Sequence, residues 1–148
     1  MKLNTKTRYG LRAIIEIAAQ ENEKGILQKK IAESQHISVK YLDQIIAQLK
    51  SANLITTTDG KKSGYQLTRQ ASEITIYDIY KAFNPPLKLI DCFGDEYNCK
   101  KVPYCISHKY WFNLNKQMIE YMESTNLEEL TDEHKELTKN NDDLMFYI

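Results

Sequence analysis

Hydrophobic residues recur every three or four positions along the first third of the chain, a spacing that predicts helices. The first predicted helix spans residues 6 to 21, with Thr5 as its cap. A shorter apolar pattern over residues 27 to 33 predicts a second helix that stops at Ser34. A third helix is predicted from an N-cap at Ser38 to about Ser51. Its apolar side is formed by Leu42, Ile45, Ile46 and Leu49.

Two helices joined by a tight turn are typical of a helix-turn-helix, whose second helix lies in the major groove of DNA. The first turns of the third predicted helix carry groups of the types that contact base edges and phosphates. These candidate DNA-binding residues are Ser38, Lys40, Tyr41, Asp43 and Gln44. The ordinary polar face of an amphipathic surface helix explains the same residues equally well, so these helices alone leave both interpretations open.

The segment after the third helix predicts two short strands around a glycine-containing loop. The outgoing strand begins at Leu54, and the returning strand ends at Leu67. Lys61 and Lys62 lie at the loop tip, where they can reach phosphates, although lysines at such a tip also serve solubility. Together the helices and the hairpin predict a mainly α fold with a small β-hairpin wing, a winged helix-turn-helix.

The second half of the chain predicts three further helices. Thr75 and Asp78 match a capping box, and Asn84 ends the helix that they begin. The longest periodic segment spans residues 107 to 124, and its apolar stripe consists of Trp111, Leu114, Met118, Tyr121 and Met122. A chain of this size has little left to cover such a face, so a second copy of the helix, in a homodimer, is the expected cover.

A short acidic helix is predicted after residue 126, with Leu127, Leu130 and Leu137 facing inward. These patterns suggest four regions. They are a winged helix-turn-helix DNA-binding domain at 1–83, a cysteine-containing loop at 84–107, a dimerisation helix with a short C-terminal helix at 108–139, and a flexible tail at 140–148.

All three cysteines of the chain lie in one segment that also contains glycine and proline. Cys92, Cys99 and Cys105 supply three soft ligands and the nearby His108 supplies an imidazole, and an irregular loop could direct all four to one metal centre. Structural zinc ligands usually come in pairs two to four residues apart, whereas the gaps here are six and five residues. The spacing is therefore unusual for structural zinc, and an iron–sulfur cluster is the other metal centre that this ligand set suits. An ordinary helix residue without a ligand role remains the alternative for His108.

The charge is zero overall but uneven along the 148 residues. Residues 1 to 70 carry twelve basic and six acidic side chains, whereas residues 71 to 148 carry eight basic and fourteen acidic ones. A basic first half suits contact with phosphates, although a chance imbalance of surface charge gives the same count. No apolar run reaches the length of a signal peptide or a membrane span, so a cytoplasmic protein without a membrane partner is expected. No nucleophile–base pairing or phosphate-binding glycine motif suggests an enzyme.

Several segments resemble the IscR, NsrR and CymR family of dimeric winged-helix transcription regulators. They are Leu3–Tyr9, Ile37–Ile45, Gly64–Leu67 and Ile74–Tyr80. The end of the cysteine segment, Cys105 to His108 followed by Trp111, resembles the iron–sulfur branch of that family. Two features differ: six residues rather than five separate the first two cysteines, and the wing lacks the family's Arg-Gly-Pro run.

The resemblance implies a homodimeric repressor that binds a double-stranded DNA operator. It also implies that Cys92, Cys99, Cys105 and His108 bind an iron–sulfur cluster, with 2Fe–2S expected and 4Fe–4S the alternative. Cluster-delivery proteins would then be further partners. Two other interpretations stay open. One is a cluster-free regulator that responds through its thiols or a partner protein, as the CymR branch does, and the other is a zinc-binding interaction module.

Overall fold

The computed structural model describes residues 3–20, 24–60, 63–93 and 98–145. Within these ranges the chain forms six α-helices and one two-stranded sheet. The helices are α1 (Thr5–Ala19), α2 (Gln28–Gln35), α3 (Val39–Ser51), α4 (Ile76–Phe83), α5 (Ile106–Ser124) and α6 (Leu127–Met145). The strands are β1 (Ile55–Thr57) and β2 (Tyr65–Leu67). The predicted fold class, mainly helical with a small hairpin, is therefore confirmed.

At the start of a helix, the first backbone N–H groups have no acceptor within the helix, and polar side chains can accept hydrogen bonds from them. Asn4, rather than Thr5, caps α1, because its side-chain oxygen accepts a hydrogen bond from the backbone N–H of Thr7 at 2.7 Å. Ser38 caps α3 as predicted, accepting from the N–H of Tyr41 at 3.1 Å. The second helix extends two residues beyond its predicted end, and His36 closes it in the left-handed conformation with φ of 53°.

The apolar stripes of the first three helices meet in one core. Ile14 of α1, Ile31 of α2 and Leu42 of α3 are completely buried. Ile79 of α4 and Leu127 of α6 are buried in the same cluster. Side chains from five helices therefore share a single core, and the C-terminal helix is part of it.

The hairpin is antiparallel and is tied to the segment before α2. Ile55 pairs with Leu67 and Thr57 with Tyr65. The backbone of Tyr65 exchanges two hydrogen bonds with that of Ile26, at 2.9 and 3.1 Å. Lys61 and Lys62, the predicted tip residues, lie outside the described residues.

The last helix differs from the prediction in length and in orientation. It continues to Met145, so residues 140–145, expected to belong to a flexible tail, are helical. The N–H of Leu127 donates to the carbonyl of Ile74 at 2.8 Å, which holds the start of α6 against the winged helix. Leu137, predicted to face inward, is 63% exposed.

The capping box of α4 also anchors the end of the wing. The Asp78 carboxylate accepts from the N–H of Thr75 at 3.2 Å, and it lies 3.3 Å from the Arg69 guanidinium and 3.2 Å from the Lys81 ammonium. Burial alone would raise the pKa of Asp78, but the hydrogen bonds from Thr75 and Lys81 outweigh burial and hold the pKa below its usual value of 3.8.

We expect Asp78→Ala to lower the free energy of unfolding by about 1–2 kcal/mol at pH 7, because the Asp78 half of the capping box and its two ion pairs are lost. A lowered folded-state pKa contributes stability that is present above pH 3.8 and lost as the pH falls through the folded-state value. The difference from wild type should therefore narrow below pH 3.8. Urea unfolding at one protein concentration measures the free energy of unfolding of the wild type and the variant. The control is Asp132→Ala, which replaces an exposed aspartate of α6. An equal loss at pH 7 and pH 3 would contradict a role for the charge.

Candidate functional site

The five predicted DNA-contact residues on α3 are brought together on its cap and first two turns. Ser38, Lys40, Asp43 and Gln44 are exposed. Tyr41 is half-buried, and its ring lies edge-on against that of Tyr9 in α1, with centroids 5.9 Å apart. The surface therefore offers hydroxyl, ammonium, carboxylate and amide groups from one end of an exposed helix, an arrangement suited to a DNA groove.

Two residues that the sequence did not single out contact this surface. The Gln28 side chain at the start of α2 donates a short hydrogen bond to the Asp43 carboxylate. The Tyr65 hydroxyl in β2 donates to the side-chain oxygen of Gln28 at 3.1 Å. Burial, followed by the negative charge of Asp43, raises the pKa of Tyr65. No periodicity or motif marks this contact, because it joins residues 37 positions apart.

A further basic group lies between α3 and the wing. The Lys50 ammonium is 2.8 Å from the Thr57 hydroxyl, and it lies over the ring of Tyr65, 5.0 Å from the centroid. The chain pattern placed Lys50 near the end of a helix but gave no sign that it meets the hairpin.

The predicted metal ligands lie near the start of α5. Cys105 is the N-cap of α5, and its sulfur accepts from the backbone N–H of His108 at 3.4 Å. Cys92 lies in a short 3₁₀ helix, Asp91–Phe93. All three cysteines are half-buried, and none forms a disulfide.

Aromatic contacts connect the segment that contains Cys92 to His108. The ring of Phe93 meets the His108 imidazole edge-on, with centroids 5.5 Å apart. The ring of Phe112, one turn further along α5, stacks on the imidazole at 6.2 Å. Phe93 and Phe112 also contact each other, at 5.9 Å. These three rings place the segment that contains Cys92 beside the first turns of α5.

The buried Asn115 of α5 holds the beginning of the cysteine loop. Its side-chain oxygen accepts from the N–H of Leu89 at 2.9 Å, and its amide donates to the carbonyl of Leu87 at 3.1 Å. The loop is therefore fixed to the middle of α5 before it reaches Cys92.

The donor set suits a cluster, but its side chains are not assembled. Three thiols and an imidazole are ligands that iron–sulfur clusters accept. Among the residues that the structure describes, however, no group of three or more Cys, His, Asp or Glu side chains is close enough to hold a metal ion. Cys99 follows residues 94–97, which are not described, and its carbonyl accepts from the N–H of Val102 at 3.2 Å.

The predicted dimer stripe divides into two groups. Trp111 and Tyr121 are exposed, at 40% and 74%. Leu114, Met118 and Met122 are half-buried. Met122 lines an apolar cavity of about 110 Å³ that α1 and α4 also line.

Other apolar side chains, not predicted from the stripe, are exposed on the same helix. They are Ile106, Tyr110 and Phe112, at 79%, 61% and 51%. The exposed apolar face of α5, formed by Ile106, Tyr110, Trp111 and Tyr121, therefore begins beside Cys105, whereas Phe112 lies on the side that packs against Phe93 and His108.

Comparisons with known proteins agree with this architecture. Residues 3–133 match the Rrf2 family, described as iron-dependent transcriptional regulators. The transcriptional regulator CymR of Bacillus subtilis is 32% identical, with both chains covered completely. The transcriptional regulator IscR of Photorhabdus laumondii is 30% identical over 93% of this chain and 83% of its own.

Solved structures show the same fold. IscR from T. potens superposes with a TM-score of 0.73 at 28% identity, covering 93% of this chain and 90% of its own. The structure of CymR, described as the global cysteine regulator of B. subtilis, gives a TM-score of 0.70 at 30% identity, covering 89% and 97%.

These similarities define the class of the protein. Within the described ranges, no helix is long and apolar enough to cross a membrane. The relatives are named as transcriptional regulators of the helix-turn-helix type, which are not enzymes. Since the family match covers most of the chain and relatives with 30% identity or more span its length, the protein belongs to the Rrf2 family of DNA-binding transcription regulators.

Proposed function

We propose that the protein is a homodimeric repressor whose DNA binding responds to an iron–sulfur cluster held by Cys92, Cys99, Cys105 and His108. The observation that carries the proposal is the position of Cys105 and His108 in the first turn of α5, directly beside the exposed apolar face of that helix. A change in ligation would then act at the end of the helix that joins the two copies.

The surface proposed to contact DNA bases is the exposed N-terminal end of α3. In a helix-turn-helix these positions face base edges, and a symmetric dimer places two such helices on half-sites separated by whole helical turns. Lys40 supplies a cation, and Asp43 and Gln44 supply base-reading groups. Lys61 and Lys62 at the wing tip are proposed to add phosphate contacts, as is Lys50.

The dimer is proposed to form through α5. Four exposed aromatic or aliphatic side chains on one face of a helix are more apolar surface than scattered exposed residues normally give. A second copy of the same helix covers it symmetrically, as an isologous interface requires. In that arrangement Trp111 and Tyr121 contact the partner, whereas Leu114, Met118 and Met122 help to seat α5 on its own winged helix.

The cluster, when bound, supplies a centre whose charge and presence change with redox and iron conditions. The thiolates would anchor the loop, and the neutral imidazole of His108 would add a ligand that needs no negative charge. The ring contacts of Phe93 and Phe112 orient His108, and Asn115 fixes the loop upstream. Cluster-delivery proteins are the expected source, and 2Fe–2S is the favoured form.

A thiol-responsive regulator without a cluster is the second candidate. Three half-buried cysteines without disulfides, which the described structure does not gather around one point, support it. So does the similarity to CymR, described as the global cysteine regulator of B. subtilis. In this case the thiols themselves would carry the signal by oxidation.

We expect protein purified without oxygen to contain iron and sulfide in near-equal amounts and to show visible charge-transfer bands. Cys99→Ala should lose both the bands and the sulfide, because a thiolate ligand is removed. The proposed ligand His108 is tested with His108→Ala. The matched control is His134→Ala, which replaces a histidine of α6 outside the site and should keep the wild-type spectrum.

Metal analysis separates the alternatives. Zinc without sulfide would contradict the cluster and support a zinc module. Protein that stays free of metal after reconstitution with iron and sulfide, but whose operator affinity changes on oxidation of its thiols, would support the second candidate.

We expect Lys40→Ala to weaken operator binding by a similar factor for all sequences, because an ammonium at this position neutralises a phosphate. The slope of log affinity against log salt concentration should fall in magnitude by about 1. Fluorescence anisotropy over a salt series measures it, with Lys139→Ala, an exposed lysine of α6, as the control. Unchanged affinity would remove Lys40 from the interface, and relaxed preference at one base pair would make it a base-reading residue.

We expect Trp111→Glu to convert the dimer to a monomer at micromolar concentration, because a carboxylate would be buried in an apolar interface. Sedimentation equilibrium measures the state, and the conservative Trp111→Phe should remain dimeric. A folded dimer of Trp111→Glu would show that α5 is not the interface.

A further inference from the structure

A chain of hydrogen bonds connects the wing to the recognition helix. The Tyr65 hydroxyl in β2 donates to the Gln28 side-chain oxygen at 3.1 Å. The Gln28 nitrogen in turn donates to one oxygen of the Asp43 carboxylate, and it lies 3.5 Å from the carbonyl of Val39. One side chain of α2 therefore contacts both elements expected to face DNA.

The hydrogen-bonding capacities fix the orientation of this chain. An ionised carboxylate only accepts, so Gln28 must present its nitrogen to Asp43 and its oxygen to Tyr65, whose hydroxyl can donate. In the described part of the protein, the Asp43 carboxylate makes no hydrogen bond other than the one from Gln28. The second oxygen of the Asp43 carboxylate is therefore left for a group outside the protein.

The Tyr65 end of the chain is firmly held. Its backbone pairs with Ile26 and with Thr57, and the Lys50 ammonium lies over its ring. A tyrosine hydroxyl is protonated at neutral pH and can donate, and burial and the charge of Asp43 raise the pKa of Tyr65 further. The anchor is therefore rigid where the exposed Asp43 side chain by itself would not be.

A fixed carboxylate at this position has a defined chemical use. In the major groove, Asp and Glu accept hydrogen bonds from the amino group of cytosine. A side chain already held in its binding orientation loses less conformational entropy when it binds, so it discriminates better between the right and wrong base. A freely rotating Asp43 would also repel nearby phosphates in several orientations.

We propose that Gln28 and Tyr65 are positioning residues, which hold Asp43 in the orientation that reads the amino group of one base. The inference rests on the proposed function, in that α3 must lie in the groove. It extends the set of specificity-determining residues to α2 and to the wing, which the recognition helix alone does not suggest.

The test measures base preference, which a merely structural role would not move at a single position. An operator is selected from random DNA with the wild-type protein, and affinities are measured for duplexes that each carry one changed base pair. The variants are Gln28→Leu, Tyr65→Phe, Asp43→Ala and the double variant Gln28→Leu with Asp43→Ala. Gln66→Leu is the matched control, because Gln66 neighbours Tyr65 on β2 and faces the opposite side of the strand.

We expect Gln28→Leu and Tyr65→Phe to reduce discrimination at one base pair, Gln28→Leu by about tenfold, the size of one lost base contact. The affected base pair should be the one that Asp43→Ala affects. The double variant should lose no more than Asp43→Ala alone, because the first substitution acts only through Asp43. The salt slope and the preference at all other positions should match those of wild type and of Gln66→Leu.

The other outcomes overturn the proposal in distinguishable ways. If Asp43→Ala relaxes one base pair but Gln28→Leu does not, the positioning role is wrong and the reading role of α3 stands. An equal loss of affinity by Gln28→Leu on every duplex would show a structural role instead. If Asp43→Ala leaves all preferences unchanged, Asp43 does not read a base, and if no sequence is selected at all, the proposed function fails with it.

Discussion

The burial of the apolar side of α1 is the constraint on which the rest of the structure depends. Ile14 and Ala13 have no exposed surface, and the core around them receives side chains from α2, α3, α4 and α6. Apolar burial of this kind supplies most of the free energy of folding, and it is non-directional. The caps Asn4, Ser38 and Thr75 fix where three of the helices begin, and the spacing of the apolar residues decides which face of each helix lies against the core.

The parts of the fold that the sequence predicts are those with local causes. The start of α3 follows from Ser38, the start of α4 from the Thr75–Asp78 box, and the hairpin from its alternating strands. Prediction is wrong where a tertiary contact decides. Residues 140–148 were expected to form a flexible tail, yet α6 continues to Met145. The start of this helix is fixed by a tertiary contact, since Leu127 is buried in the core.

In the candidate site too, the residues that are local in sequence could be predicted, whereas the contacts between distant residues could not. The residues of the first turns of α3 and the four proposed metal ligands were predicted from the sequence, since each set is local in sequence. The contacts of Gln28 with Tyr65 and Asp43, the Lys50–Thr57 contact and the ring cluster around His108 were not, because none of them repeats at a fixed interval. The dimer stripe was read with an ideal helical period, which ranked Met122 with Tyr121. The structure separates them, because α1 and α4 already cover Met122.

The packing of the core limits how a signal at the cysteines can act on DNA binding. Ile14, Leu42 and Ile79 are at most 1% exposed, and close-packed side chains of this kind do not shift gradually without creating cavities. The Asp78 ion pair with Arg69 further ties α4 to the end of the wing, and we expect each winged helix to behave as one rigid body. A change near Cys105 and His108 therefore acts most readily where the packing is still open, on the exposed face of α5. In the proposed dimer, such a change alters the distance between the two winged helices and leaves the shape of each unchanged. This is a rigid-body mechanism of regulation.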